Sequence, residues 1–376
     1  MSDANDQATP VLKASVHDVR HFTSLLRGVN FANRATVTVT EKGLVIIVEE
    51  ARTLLGTAYV FSDVFDEYEY HSEHEQSQAP KDDEEESREE QEVYNAAFEI
   101  PLNTLIECLN IFGTAGGSGS SSGGKALQWK PPGQEADGSG DEADGEGRKS
   151  RQQNAAGGAA NNTLDHFFGR SERRTSMRMT YMGTGHPLTL LIAEDASGPT
   201  TTCEIATFEA EPHLELPFDS ENTKLKIILK SSWLKEALSE IDSFCDKLTF
   251  FGNPPEENNT DGMTTKQKRQ ANLKRPIFRI QAIGTLGTTE MDYYNDRDVL
   301  ETFECPGPVS FSYRLAHIMR AMRALQTSIK ASLRIDQEGL LSLQFLMPAQ
   351  PSRRNGAVTG STNFIEFRCL ALDEEV

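Results

Sequence analysis

The chain has 376 residues, enough for two domains with cores of ordinary size, and its hydrophobic share of 37% leaves part of it to be solvated rather than packed. No run of about 18 apolar residues occurs and the start, Met1 to Pro10, is polar and acidic, so neither a membrane-spanning helix nor a secretory signal is expected and the chain reads as soluble and intracellular. The net charge of −20 argues against contact with duplex DNA unless the negative charge is concentrated away from the contact surface.

The first predicted element is a helix from Val19 to Val29, where Val19, Phe22, Leu25, Leu26 and Val29 fall at helical spacing. Arg20 and Arg27, two turns apart, lie opposite that stripe. A strand pair follows, Ala35–Val39 and Leu44–Val48, about a turn at Glu41-Lys42-Gly43. Between Glu73 and Glu92 ten acids stand against Lys81 and Arg88, which places 10 − 2 = 8 of the excess negative charges in one stretch. Such a block cannot pack, so residues 71–92 are predicted to form a solvated insertion. His71 and His74 beside it make an H-x-x-H pair, but that stretch offers no rigid frame for a metal.

A second helix is predicted from Asn103 to Phe112, with Asn103 at its cap. Residues 114–174 then read as low-complexity insertion, with a glycine–serine run from Gly116 to Gly124 and further Gly/Asp/Glu and Ala/Gly/Asn stretches. After a strand over Met177–Met182, the lone Gly183-Thr184-Gly185 is a turn signal. Two prolines and alternating apolar residues and acids from Glu209 to Asp219 predict an extended surface connector. The third helix, Ser231 to Ile241, is predicted to be capped by serine and carries Lys235. Lys224, Lys226 and Lys230 lie on the strand before it, and a strand at Lys247–Phe251 follows. A polar loop, 254–275, ends in Lys266, Lys268, Arg269, Lys274 and Arg275, which suit a nuclear import signal and a soluble loop equally.

The last helix carries Leu315, Ile318, Met319, Met322 and Leu325 on one stripe, with Arg320 nearly opposite and Arg314 and Arg323 flanking it. No acid occurs from Phe311 to Lys330, which is unusual in so acidic a chain. Strands Ile329–Ile335 and Leu340–Leu346 follow about the turn Asp336–Gly339. Helix, strand, Gly-turn and strand thus occur in the same order after the first and the last helix, and the second and third helices match each other, which predicts two domains of like build.

The cationic helix faces point to contact with phosphates without base readout, the bland alternative being solvated faces in which Lys and Arg are good helix formers. Cys108, Cys203, Cys245, Cys305 and Cys369 are scattered singly and read as reduced thiols rather than disulfides or zinc ligands. There is no phosphate-binding G-x-x-x-x-G-K-[ST] loop, and the close-set carboxylates lie in the acidic stretch and the tail Asp373–Glu375. No catalytic residue, metal site or cofactor is assigned.

The stretches Leu26–Glu49, Glu107–Gly113, Gly183–Leu191, Ala237–Asp242, Gly339–Phe345 and Cys369–Val376 together resemble, in order and spacing, the Rad-one/Rec-one family of the heterotrimeric nine-one-one checkpoint clamp, related to proliferating cell nuclear antigen. The resemblance implies an α+β sliding-clamp fold of two similar domains, 1–208 and 223–376, joined by a connector over 209–222, with antiparallel sheets outside and two helices per domain inside. It implies a non-catalytic nuclear subunit, without cofactor, in DNA-damage checkpoint signalling, repair and the cell cycle. Two other clamp subunits, an ATP-driven clamp loader, duplex DNA through the ring and repair enzymes at the connector groove would be its partners, with no membrane. Arg20, Arg27, Lys235, Arg320 and Arg323 become the DNA-facing candidates, and Leu214, Leu216 and Phe218 the apolar contacts of the partner groove. The other readings are a 3′–5′ exonuclease, an activity also assigned within the resembled family, and a homotrimeric processivity clamp.

Overall fold

Two stretches of the chain repeat one order of elements: a strand, a helix, five strands, a helical segment and three strands. The first runs β1 (Leu12–Val16), α1 (Val19–Val29), β2 (Arg34–Thr40), β3 (Gly43–Glu50), β4 (Leu54–Phe61), β5 (Glu67–Tyr70), β6 (Ala96–Pro101), α2 (Leu102–Leu109), β7 (Ser176–Tyr181), β8 (Leu188–Ala193) and β9 (Thr200–Ile205). A short β10 (Phe208–Glu209) opens the connector. The second runs β11 (Leu225–Lys230), α3 (Ser231–Ser239), β12 (Cys245–Gly252), β13 (Phe278–Gly284), β14 (Gly287–Tyr293), β15 (Leu300–Glu304), β16 (Val309–Arg314), the pair α4 (Leu315–Arg320) and α5 (Met322–Thr327), β17 (Lys330–Ile335), β18 (Leu341–Leu346) and β19 (Phe364–Cys369). This computed structural model describes residues 9–72, 96–113, 174–194, 198–242, 244–254, 275–348 and 363–373. The predicted insertions, apart from their end residues, His74, the basic cluster before Arg275 and the last tail residues lie outside them.

The strands form three antiparallel sheets, ordered β5-β1-β7-β8-β9, β14-β13-β12-β16, and a long shared sheet β10-β6-β2-β3-β4-β19-β18-β17-β11-β15. Replacing each strand by its counterpart turns β5-β1-β7-β8-β9 into β15-β11-β17-β18-β19, and β6-β2-β3-β4 into β16-β12-β13-β14. The shared sheet is therefore one sheet from each repeat, joined where β4 pairs with β19 from Leu54↔Cys369 to Tyr59↔Phe364. The counterparts of these joining strands, β14 and β9, are both edge strands.

The chain order pairs α1 with α3, and α2 with α4–α5, which corrects the pairing drawn from the sequence. Any helix followed by an antiparallel hairpin gives the same local signature, and only the sheet order distinguishes the copies. The predicted caps also differ. Asp18, not foreseen, caps α1 by accepting from the Arg20 N–H at 3.0 Å. Pro101 and Lys230, not Asn103 and Ser231, stand at the N-caps of α2 and α3, because each strand runs directly into its helix. The first turn of α2 is satisfied from afar, Leu102 N–H donating to the Asn33 carbonyl and Asn103 N–H to the Asn33 side chain at 3.2 Å. The last helix bends at buried Ala321, which turns Met319 outward while Leu315, Ile318, Ala324 and Leu325 stay buried.

Alternation along the strands sends one face of the shared sheet to the helices and a single core continues through both repeats. Two histidines border it. Burial, the largest cause, holds His21 and His317 below the ordinary histidine pKa of 6.5, against the opposite pull of Asp63 and Asp18 on the first and Glu50 on the second. Each stays neutral in the folded chain and charges more readily when unfolded. Their stabilisation is complete above the unfolded value and is lost as pH falls through the folded one. The thermal midpoint should therefore fall as pH drops below about 6.5. His21→Gln with His317→Gln should flatten that slope, and an unchanged slope would assign the loss to other groups.

Candidate nucleic-acid interface and connector

The helices form a row. α1 packs against α2 on one side and α5 on the other, and α3 packs on α5, giving the order α2, α1, α5, α3. α1 lies over β3, β4 and β19, and α3 over β11 and β17, so the row covers one face of the shared sheet.

Four of the five candidate cations sit on this row, and Arg320 ends α4, which packs against α5 and lies over β12 and β16. Arg20 grips Asp18 through Nε at 3.0 Å and Nη2 at 2.7 Å. Burial pushes the Asp18 carboxyl up, but the Arg20 bonds and charge outweigh it and hold the group below the usual carboxylate range. Arg27 lies half-buried in the last turn of α1. Arg323 donates through Nη1 to the Asn30 carbonyl at 2.8 Å, which sets its guanidinium at the negative end of the α1 dipole, next to the last turn that carries Arg27. Arg320 makes a two-pronged pair with Glu50, both bonds at 2.8 Å. Lys235 is exposed on α3, across α5 from α1. Arg320 and Arg20 are thus balanced by carboxylates. Arg323 bonds a neutral carbonyl and keeps its full charge for an outside anion. Glu50 and Asp18 belong to the surface chemistry of this row, and cation periodicity alone could not reveal them.

The connector crosses the opposite face of the shared sheet. Glu211 N–H donates to Glu99 Oε1 at 3.1 Å, and Leu214 N–H to Glu49 Oε2 at 2.8 Å. Arg368 Nη1 donates to the Leu216 carbonyl at 2.8 Å, the Phe218 ring lies 4.7 Å from the Arg334 guanidinium, and Asp219 N–H reaches Asp336 Oδ2 at 3.4 Å. The three predicted groove residues do come together: Leu216 is buried with Leu55 and Leu340, while Leu214, Phe218 and Ile47 pack half-buried around them. Leu216 therefore holds the connector down, and Leu214 and Phe218 are the two that still offer apolar surface.

The buried carboxylates are engaged in the same work. Glu99 faces Arg34 Nε at 3.0 Å, and Asp336 accepts from the N–H groups of Glu338 and Leu340 in the β17–β18 turn. Glu366 accepts from Ser342, Gln344, Arg334 and Arg368. Among the described residues no group of three or more His, Cys, Asp or Glu is placed to hold a metal ion. All five cysteines are free, and burial together with neighbouring Cys203 of β9 pushes the Cys108 thiol of α2 up to about 11.

A family model described as "Repair protein Rad1/Rec1/Rad17" matches residues 11–347. The chain is 28% identical to the cell cycle checkpoint protein RAD1 of Mus musculus over 97% of its own length and 93% of that protein. It is 27% identical to the protein of that name from Homo sapiens, over 100% of this chain and 96% of that one. It is also 27% identical to the DNA repair exonuclease REC1 of Mycosarcoma maydis, over 96% of each.

Proposed function

The chain belongs to the Rad1/Rec1/Rad17 repair-protein family, and from that premise we propose that it is a non-catalytic nuclear subunit of a DNA-encircling checkpoint clamp built from three different chains. The observation that carries the reading is the doubled plan with its internal junction. β4 joins β19 within the chain, and the counterparts β14 and β9 stand as edge strands at its two ends. An antiparallel edge is a template for another strand, and a junction repeated between chains with a constant rotation closes a ring. In that ring the two repeats act as domains 1–208 and 223–376 with the connector 209–222 between them. The helix row faces the hole, with Arg20, Arg27, Lys235, Arg320 and Arg323 along the DNA path, and phosphates are met without base readout. A clamp loader supplies the ATP chemistry. Repair proteins dock beside the connector, where Leu214 and Phe218 offer apolar surface.

One relative carries an exonuclease in its name. Against that activity here, the buried carboxylates Glu99, Asp336 and Glu366 each hold connector or turn through specific bonds rather than standing together. The test is composition. The isolated chain should have the native mass of a monomer, and the material that co-purifies with it should contain two dissimilar proteins in amounts equal to it. A stable homotrimer, or metal-dependent nuclease activity that tracks with the chain and vanishes on changing one of its carboxylates, would overturn the reading.

A further inference from the structure

We infer that His21 is a proton-sensitive latch on the internal junction: as a neutral imidazole it holds Asn363 at the end of the β4–β19 seam, and as an imidazolium it lets that end open. The seam lies within one chain, so the latch stands or falls apart from the ring reading.

The β4–β19 ladder runs from Leu54↔Cys369 to Tyr59↔Phe364 and stops there. Next to Phe364, Asn363 continues the seam with its side chain, its Oδ1 accepting the Phe61 N–H at 3.1 Å. Its backbone carbonyl accepts the Met347 N–H just beyond β18 at 3.0 Å. Its Nδ2 lies 3.2 Å from Nε2 of His21, in the first turn of α1. One residue of the second repeat thus ties β4 and α1 of the first to β18. Asn363 is 2% exposed, so water is not at hand to replace these partners.

The bonds fix the protons. The Phe61 N–H can only donate, so the amide oxygen of Asn363 faces it and the amide nitrogen, a donor, faces the ring. Nε2 is then the bare, accepting nitrogen of a neutral imidazole. A second proton can enter only there, where it sets an N–H against the Asn363 N–H₂. Turning the amide over moves the same clash to Phe61. Either way a buried donor loses its acceptor, which burial penalises.

The charges around His21 leave that balance in place. Burial, the largest cause, holds its pKa below 6.5, while Asp63, in the turn after β4, and Asp18, at the cap of α1, pull the other way. The other elements that touch α1 direct their charges elsewhere. Glu49 of β3 and Glu366 and Arg368 of β19 bond the connector or one another, and Glu50 is paired with Arg320. Arg323 of α5 bonds Asn30 at the far end of α1, and Glu107 lies in the last turn of α2. His21 takes a proton more readily in the open seam than in the closed one. The latch is therefore intact above about 6.5 and is lost as pH falls through the closed-state value.

Hydrogen exchange of the full-length chain, corrected for the intrinsic effect of pH, reads the latch in peptides covering 58–62 and 363–367. Protection should fall between about pH 7.5 and about pH 5.5, by at most about tenfold per pH unit, the limit for one linked proton. His21→Gln offers Asn363 a carbonyl that takes no proton, and protection should stay level. Asn363→Asp sets a carboxylate oxygen against the ring, so the imidazolium becomes the favoured partner and protection should be greater at the lower pH. His317, whose Nδ1 lies 3.7 Å from Cys369 Sγ, marks the other end of the seam, and His317→Gln should keep the fall. Level protection in the unaltered chain, a fall that survives His21→Gln or vanishes in His317→Gln, or a folded Asn363→Asp that behaves as the unaltered chain does, overturns the latch. Where Asn363→Asp does not fold, the two histidine variants decide.

Discussion

Glu366→Ala should cost about 3–5 kcal/mol of folding stability, the loss expected when one partner of a buried ion pair is removed and the other is left uncompensated. Glu366 is 3% exposed, and its two oxygens accept Ser342 at 2.6 Å, Gln344 at 3.2 Å, Arg334 at 3.4 Å and Arg368 at 2.9 Å. Burial already pulls the Arg334 guanidinium below the ordinary arginine pKa, and Glu366 is the charge that opposes the shift. Without it two cations lie beneath the connector with no counter-charge. The loss should propagate, because Arg368 also holds the Leu216 carbonyl and Arg334 lies against Phe218. Urea unfolding reads the stability, and faster amide exchange over 210–222 reads the loosened connector. Adding Arg334→Met and Arg368→Met to Glu366→Ala should recover much of the loss, since an apolar replacement leaves no buried charge. A Glu366→Ala effect within about 1 kcal/mol, the range of exposed pairs, would show the network to be solvated.

Reversing Arg20, Arg27, Arg320 and Arg323 to Glu should reduce DNA retention by the assembled complex by orders of magnitude. Every phosphate that is no longer neutralised makes the slope of log affinity against log salt shallower by about 0.9, so a salt titration reports how many phosphates the four arginines meet. The structure separates three of the four. Arg323→Glu should act mainly on DNA. Arg320→Glu also sets a carboxylate against Glu50, and Arg20→Glu sets one against Asp18, so both should lower the thermal midpoint as well. Arg320→Gln separates the two effects by removing charge without adding repulsion. Unchanged retention and salt slope in a correctly assembled complex would remove these residues from the DNA path.

Much of the architecture was legible because it depends on local pattern. The stripe of Phe22, Leu25 and Leu26 defines α1, and alternation in Ala35–Val39 defines β2, whatever the rest of the chain does. The extended connector followed from its prolines. What was not legible depends on residues distant in sequence. Asn33 satisfies the start of α2 from 70 residues away, so Asn103 looked like the cap. The bend at Ala321 has no proline or glycine to announce it. Nothing local at Glu49, Glu99, Arg334, Glu366 and Arg368 records that residues 211–219 lie across them. The charge problem has the same origin. Net charge describes a sum, whereas phosphate contact depends on where Arg27, Arg323 and Lys235 stand.

The most direct measurement of the central claim is retention on closed circular DNA before and after a single cut. The complex containing this chain, once placed on the circle by the proposed clamp loader and washed at high salt, should stay on the circle and be released when the DNA is linearised. Release from the intact circle at the same salt, or retention unchanged by the cut, would contradict a ring that holds DNA by encircling it.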